Sequence, residues 1–551
     1  MSQLDRTLHP DEANQAFTVG KLLETGVYTY RPTDHHGPTL YYAAAPLQRA
    51  FGHTKTAELD PTVLRATPLV FAVAGLVFLY LAVLRLVRRA TELTGWRSFV
   101  LPLLPVVLVG SAPLYAFYAT DFIQEMLLVS FTLMMFWAGT GYYLPATKFK
   151  RGTWALLFGI GAGLAFATKE TCVMTFAAFG GAMLPFLVLS NRRQHKPALH
   201  FDPEHVLLAL AGFLLTGVVL FSSFGRDFSG VYNAFIAAPG SYVHRAAGDA
   251  VSEGASWHVH PWWQHLQWLF LGNAWGPDKD GVVWHQFTNL KPLVHWALLL
   301  LPCGLVAFFR KPLLPRDHSP RPLVTAFLGA SLYTVLILLA YSIIPYKTPW
   351  CTLQILVPYL VATSLGYLVA YDYFRDLAAV RSRLPRLARC VVPAFLLLIL
   401  PCSLVLEHVP GLRLMATKPD APQIPYNYAH SSPEVKQLAA CVADALDAAT
   451  RPAVGPIDPE KNPPPANQPF IAVALPSTDT WPFPFYNRRF EGITGYWTKF
   501  EDLVALQKQG VKPTVVIVPM SEGHLAQALF PELKHTKRFY MRPGVRVRVF
   551  W

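Results

Sequence analysis

The stretch HPDEANQAFTVGKLLETGVYTYRPTDHHGPTLYY, His9 to Tyr42, is a polar loop set just ahead of the first of many apolar runs. Pro10 suits the first position of a helix, where its missing N–H costs nothing, and Asp11 and Glu12 follow it in the first turn. A turn holding Asp34, His35, His36, Gly37 and Pro38 comes next, and an aromatic apolar run follows. One reading of the two carboxylates is local: they complement the helix dipole, for about 0.3–1 kcal/mol each. Another depends on what the rest of the chain brings to them.

Working outward, the 551 residues are 53% hydrophobic and only 15% charged, with mean hydropathy +0.31. A soluble chain carries roughly a quarter charged residues, so a polytopic membrane protein is expected. Apolar runs long enough to cross a bilayer lie near 66–87, 97–118, 123–144, 153–168, 171–190, 205–224, 292–309, 323–345, 350–371 and 391–408. Basic clusters (Arg85, Arg88, Arg89; Lys148, Lys150, Arg151; Arg192, Arg193, Lys196; Arg310, Lys311, Arg316, Arg321; Arg381, Arg383, Arg386, Arg389) follow every second run. That pattern accounts for the net charge of +13 without nucleic acid. It makes those loops cytoplasmic and puts 1–65, 119–122, 169–170, 225–291, 346–349 and 409–551 on the other side. For an outside N-terminal loop, either the tail crosses unaided or, as expected here, a further apolar helix lies upstream of Met1. Nothing near Met1–Pro10 resembles a signal peptide. The six cysteines form neither a disulfide framework nor a zinc spacing.

Three domains are expected: a first outer loop over 1–65, a transmembrane helical domain over 66–408 and an outer α/β domain over 409–551. In the last, Glu434–Thr450 and Phe500–Gln509 read as helices, with a Pro-rich linker from Arg451 to Pro469. Phe470–Leu475 and Thr514–Val518 read as buried strands, Glu522–Phe530 as a helix and Val545–Phe550 as an edge strand. No G-x-G-x-x-G is present to support dinucleotide binding.

Several outer segments could carry chemistry. The turn Thr120 to Glu125 brings Asp121 and Glu125 to the membrane face of Asp11 and Glu12. Carboxylates clustered in this way suit a base that deprotonates a hydroxyl, with a partner that orients it or binds a cation. Lys169 and Glu170 interrupt apolar sequence between two runs, either as a pair at a tight hairpin tip or as a functional pair. Gly159, Gly161 and Gly163 in the arm before them permit close helix packing. Lys347 in Tyr346-Lys347-Thr348-Pro349-Trp350 is the only charge in a long apolar neighbourhood. It either snorkels to lipid phosphates or offers a point charge to a bound phosphate, a task for which Arg226 and Lys169 are further candidates. His35 and His36 either contact a ligand or order their loop. The loop 225–291 carries Trp262 and Trp263, expected in an aromatic belt, and His258, His260 and His265, which lack a metal spacing.

DEANQA, GVYTYRPTDHHGPTLYY, ATKET, IPYKTPW and DTWPFPFYNR together resemble a family of prokaryotic membrane proteins, the flippase-activity-associated proteins of archaeal-type N-glycosylation. These belong to the GT-C superfamily, with the protein O-mannosyltransferases. The resemblance spans nearly the whole chain. It implies a mainly α, polytopic GT-C-like bundle with a small C-terminal extracytoplasmic α/β domain, in the cell (inner) membrane. It further implies transfer of a sugar from a polyprenyl-phosphate donor to a glycan, lipid or protein acceptor, usually with inversion. Carried over, Asp11 matches the acidic base or metal-site residue of the first loop. Asp121 matches the acidic position of the second, and Lys347 the donor-phosphate position. Glu12 joins the catalytic set, His35, His36, Glu125 and Tyr346 would contact substrate, and Asp11 with Asp121 would hold Mg or Mn where a metal is used. A non-enzymatic lipid-linked-sugar flippase, or an accessory to one, is the alternative. It would show mid-membrane charges and internal repeats, whereas here the ionisable residues gather at the outer ends.

Overall fold

The computed structural model describes residues 3–32, 36–90, 95–144, 148–194, 202–238, 259–270, 322–379, 408–417, 431–447, 469–542 and 544–551. Helix α1 (Pro10–Thr25) begins with a reciprocal cap. The His9 ring accepts the Asp11 N–H, and the Glu12 carboxylate accepts the His9 N–H at 2.8 Å. This satisfies donors that a helix start otherwise leaves unpaired. Helix α2 (Thr39–Ala50) then leads to α3 (Pro61–Ala90), the first long apolar helix.

The run at 97–118, expected as one span, is instead three pieces: α4 (Arg97–Val100), α5 (Leu103–Ser111) and α6 (Pro113–Tyr118). Pro102 and Pro113 each lack the N–H that would continue the ladder, so apolarity alone overstated its continuity. Helices α7 (Glu125–Tyr143), α8 (Lys148–Phe166), α9 (Cys172–Gln194) and α10 (Pro203–Phe221) follow. After them come α11 (Gln264–Phe270), α12 (Pro322–Ile343) and α13 (Leu353–Ala379). Among the described residues five helices are long and apolar enough to cross a membrane, at Pro61–Arg89, Glu125–Tyr143, Pro203–Phe221, Pro322–Ile343 and Pro349–Tyr371. The spans expected at 292–309 and 391–408 lie outside the described residues, save His408.

Helix α3 packs on α7, α7 on α8, α8 on α10 and α12 on α13. Gly159 makes the α8–α10 approach possible: a Cβ there would stand 1.9 Å from the Ala209 carbonyl oxygen. Lipid gives little hydrophobic drive to join helices, and such close backbone contact supplies the packing instead.

The C-terminal part is an α/β layer, as expected. Five strands, β1 (Ile471–Ala474), β2 (Thr494–Trp497), β3 (Val515–Pro519), β4 (Thr536–Arg542) and β5 (Val545–Phe550), lie in the order β2-β1-β3-β5-β4. β1 runs parallel to β2 and β3, and β5 antiparallel to β3 and β4. Ile471, Val473, Val515 and Ile517 pack under α14 (Glu434–Asp447), and Ala472, Ala474, Val516 and Val518 under α15 (Phe500–Lys508). Burial on both faces explains their unbroken apolar runs. β5, read from its alternation as an edge, lies inside the sheet. The edge on that side is β4, whose Lys537 and Arg538 break any apolar alternation and protect it from stray pairing.

This layer sits directly on the N-terminal segment. Tyr486 Oη accepts the Leu8 N–H at 2.8 Å, and Trp481 stacks edge-on against Phe17 at 5.8 Å. Arg488 donates to the carbonyls of Thr56 (3.2 Å) and Leu59 (2.6 Å).

Candidate active site

Among the described residues, the ionisable side chains of Arg6, Glu12, Arg65 and Asp121 are buried where the first loop meets the turn before α7. Arg65, fully buried on α3, donates to both Glu12 oxygens at 2.8 and 2.5 Å and to the carbonyls of Leu4, Arg6 and Thr7. Arg6 donates to Asp121 Oδ1 at 2.5 Å and lies over the Phe117 ring. Glu12 Oε1 also accepts the Phe122 N–H at 2.8 Å. Burial pushes the Glu12 carboxyl up, but the Arg65 charge and hydrogen bonds, the Arg6 charge and the Phe122 N–H outweigh it and bring it down to about 2. Asp121 goes the other way. Burial and the neighbouring Glu12 charge push it up to about 8 against the pull of Arg6 and Arg65.

The first loop meets the ATKET turn through backbone hydrogen bonds. The Gly37 N–H donates to the Thr168 carbonyl and the Thr39 N–H to the Ala167 carbonyl, each at 3.1 Å. Gly37 is required there, because a Cβ would stand 2.2 Å from the Ala167 oxygen. The contact sets His36 Nδ1 2.8 Å from Glu170 Oε2. Burial raises Glu170, and the His36 charge and hydrogen bond with Lys169 more than reverse this, to about 2. Lys169 is ion-paired with Glu125 rather than with its neighbour Glu170. Burial works against its charge, but Glu125 outweighs this and its ammonium titrates above the usual range.

Asp11 is different in kind. Its side chain is 50% exposed and lies 3.8 Å from His9 Nδ1, a nitrogen that accepts a backbone N–H. The His9 ring meets Trp350 edge-on at 5.8 Å, which brings the start of α1 to the turn that carries Lys347. Lys347 is 1% exposed and donates to the Ser342 carbonyl at 3.1 Å and to the Ile344 carbonyl. Tyr346 is exposed. Arg226 is exposed and donates to the carbonyl of Gly26, the residue that closes α1. His35 and Asp34 lie outside the described residues, as does His258.

Of the two donors singled out for Mg or Mn, Asp121 is committed to Arg6, and Asp11 is half exposed near the His9 ring. Among the described residues no group of three or more His, Cys, Asp or Glu could hold an ion. Arg6 and Arg65 were not singled out from the sequence. Arg65 carried a signal, a lone charge at the start of an apolar run, and such a charge needs a partner.

This arrangement, a helical bundle with its charged loops gathered under a small α/β layer, is a fold shared with solved structures. The structure is similar to ArnT from Cupriavidus metallidurans in the apo state, with a TM-score of 0.56 and 14% identity over 100% of this chain and 95% of that one. It is likewise similar to ArnT from the same organism bound to undecaprenyl phosphate, with a TM-score of 0.52 and 16% identity over the same shares. No family model matches the sequence, and no curated protein does.

Proposed function

We propose that this chain is a membrane glycosyltransferase that moves a sugar, a hexose in the simplest case, from a polyprenyl-phosphate donor to an acceptor hydroxyl on the outer face of the membrane, with inversion. The observation that carries this reading is the division among the carboxylates. Glu12 and Glu125 are ion-paired with Arg65 and Lys169, and Asp121 is bonded by Arg6 and Glu170 by His36, while Asp11 is half exposed, 3.8 Å from His9 Nδ1. A base must meet the acceptor from solvent, and Asp11 is the carboxylate of this group that can.

In the proposed step the acceptor oxygen attacks the anomeric carbon and gives its proton to the Asp11 carboxylate. The bond from that carbon to the phosphate oxygen breaks, and the phosphate leaves with the electron pair. Lys347 offsets the charge that develops on it. Glu12, Arg65, Arg6 and Asp121 keep α1 and the Thr120–Gln124 turn in register. The similarity to ArnT bound to undecaprenyl phosphate supports a lipid-phosphate donor. The contacts of the C-terminal layer with Leu8, Phe17 and Thr56 support a common, extracytoplasmic side for 1–65 and 409–551, with 66–408 as the membrane part. Membership of the flippase-associated family belongs to the same proposal.

The test is transfer from a panel of polyprenyl-phosphate sugars by the purified full chain in nanodiscs. Product from at least one donor is expected. Passage of the labelled donor across proteoliposomes without any product would favour the flippase instead.

A further inference from the structure

Lys347 is a buried cation whose counter-ion is missing among the described residues. Its two bonds go to backbone carbonyls, and only burial acts on its ammonium, pushing it down. Lys169, by contrast, has Glu125. Leaving a buried charge unpaired is costly unless something completes it.

Two histidines face the same turn. Val259 bridges Tyr346, and the His260 N–H donates to the Pro345 carbonyl at 3.1 Å. The short α11 then brings the fully buried His265 against Thr352, with 3.1 Å between Nδ1 and the hydroxyl. Both rings stand edge-on to the buried Trp268, each at 5.3 Å. The Nε2 atoms of His260 and His265 are buried and have no hydrogen-bond partner among the described residues. Burial and the Lys347 charge hold both imidazoles below their ordinary range, His265 at about 3, so both are neutral. With the Thr352 hydroxyl donating to Nδ1, the His265 Nε2–H is an unspent donor. A buried donor left unspent is destabilising, which argues for an acceptor that fills the site. Exposed Trp262 and Trp263 flank these residues, as side chains at headgroup depth do.

We propose that Lys347, His260 and His265 form one recognition site for a lipid phosphate, in which Lys347 supplies the charge and the imidazoles supply neutral N–H donors. The inference rests on the donor reading above and deepens it by naming the groups that hold the phosphate oxygens. Neutral donors have a specific signature. Glutamine reproduces an N–H at the ε position, whereas phenylalanine keeps the ring shape without it.

The full chain in phosphatidylcholine nanodiscs is titrated separately with undecaprenyl phosphate and with phosphatidylglycerol, with melting temperature recorded for each variant. Lys347→Met and His265→Phe should each weaken undecaprenyl phosphate binding about tenfold or more, as loss of a bond to a charged group does. His265→Gln should stay within about threefold of the wild type, on the reasoning that the ε donor is retained. Thr352→Val, which removes the hydroxyl and leaves the ring, should fall between them and guards against a misfolded His265→Phe. Loss in Lys347→Met with full binding in both His265→Phe and Thr352→Val would overturn the role of the imidazoles and leave the donor reading intact. The same variant pattern seen with phosphatidylglycerol alone would uphold the phosphate site and sink the donor. Binding of neither lipid by the wild type would overturn both.

Discussion

Glu12 accepts the Phe122 N–H at 2.8 Å with the same carboxylate that Arg65 grips from α3. The residue beside the proposed base thus ties the first loop to the turn that carries Asp121, across more than a hundred residues of chain.

The sequence suggested a dipole role for Glu12, worth about 0.3–1 kcal/mol. Its burial against Arg65 calls for more. Removing one member of a buried pair leaves the other uncompensated, so Glu12→Gln should cost about 3 kcal/mol, near the low end because glutamine still accepts one bond. Thermal unfolding of the detergent-solubilised protein reads this directly. A shift no larger than that of an exposed Glu501→Gln control would contradict it.

Acid should weaken the fold in two stages. Glu12 and Glu170 titrate near 2 in the folded chain, below the ordinary value of 4.5, so their contribution is present above about 4.5 and lost as pH falls towards 2. His265, near 3 when folded against 6.5 when free, takes up its proton in the unfolded chain first, so stability starts to fall below about 6.5. Asp121, raised to about 8, acts in the opposite sense between 3.8 and 8 and is common to both proteins compared. The melting temperature of His265→Gln should therefore decline less than that of the wild type as pH falls from about 6.5 to 3, and the two curves should become parallel only below about pH 3. Parallel curves over the whole range would rule out a buried neutral imidazole.

Arg488 fastens the C-terminal layer to the first loop through the Thr56 and Leu59 carbonyls, and burial holds its guanidinium down at about 10. Arg488→Met should raise hydrogen exchange over 53–60 while β1 and β3 keep their protection, since the sheet core does not depend on this contact. Unchanged exchange over 53–60 would show that the Trp481 contact with Phe17 suffices.

Much of this was legible beforehand, for reasons that differ by element. β1 and β3 announce themselves because both faces are buried, and α1 because proline and two acids mark a helix start. The packing glycine of α8 could be read from spacing alone. The break at 97–118 could not be read from apolarity, since prolines end a ladder without changing hydropathy. β4 was hidden because an exposed edge carries lysine and arginine in place of a hydrophobic pattern. Within the site, the sequence brought out Asp11, Glu12, Asp121 and Lys347 but not which carboxylate is spent on which cation. That is decided by Arg6 and Arg65, partners set by tertiary contact at a separation no local pattern records.

The central claim is that Asp11 takes the acceptor proton. Asp11→Asn keeps the shape at an exposed position, so melting temperature and undecaprenyl-phosphate binding should match the wild type. The deciding measurement is the rate of sugar transfer from a polyprenyl-phosphate donor by Asp11→Asn and wild type, with donor binding followed in parallel. The account predicts a fall of about 10²–10⁴-fold, the contribution of a positioned base, at unchanged donor affinity. Transfer within a few-fold of the wild type would contradict it.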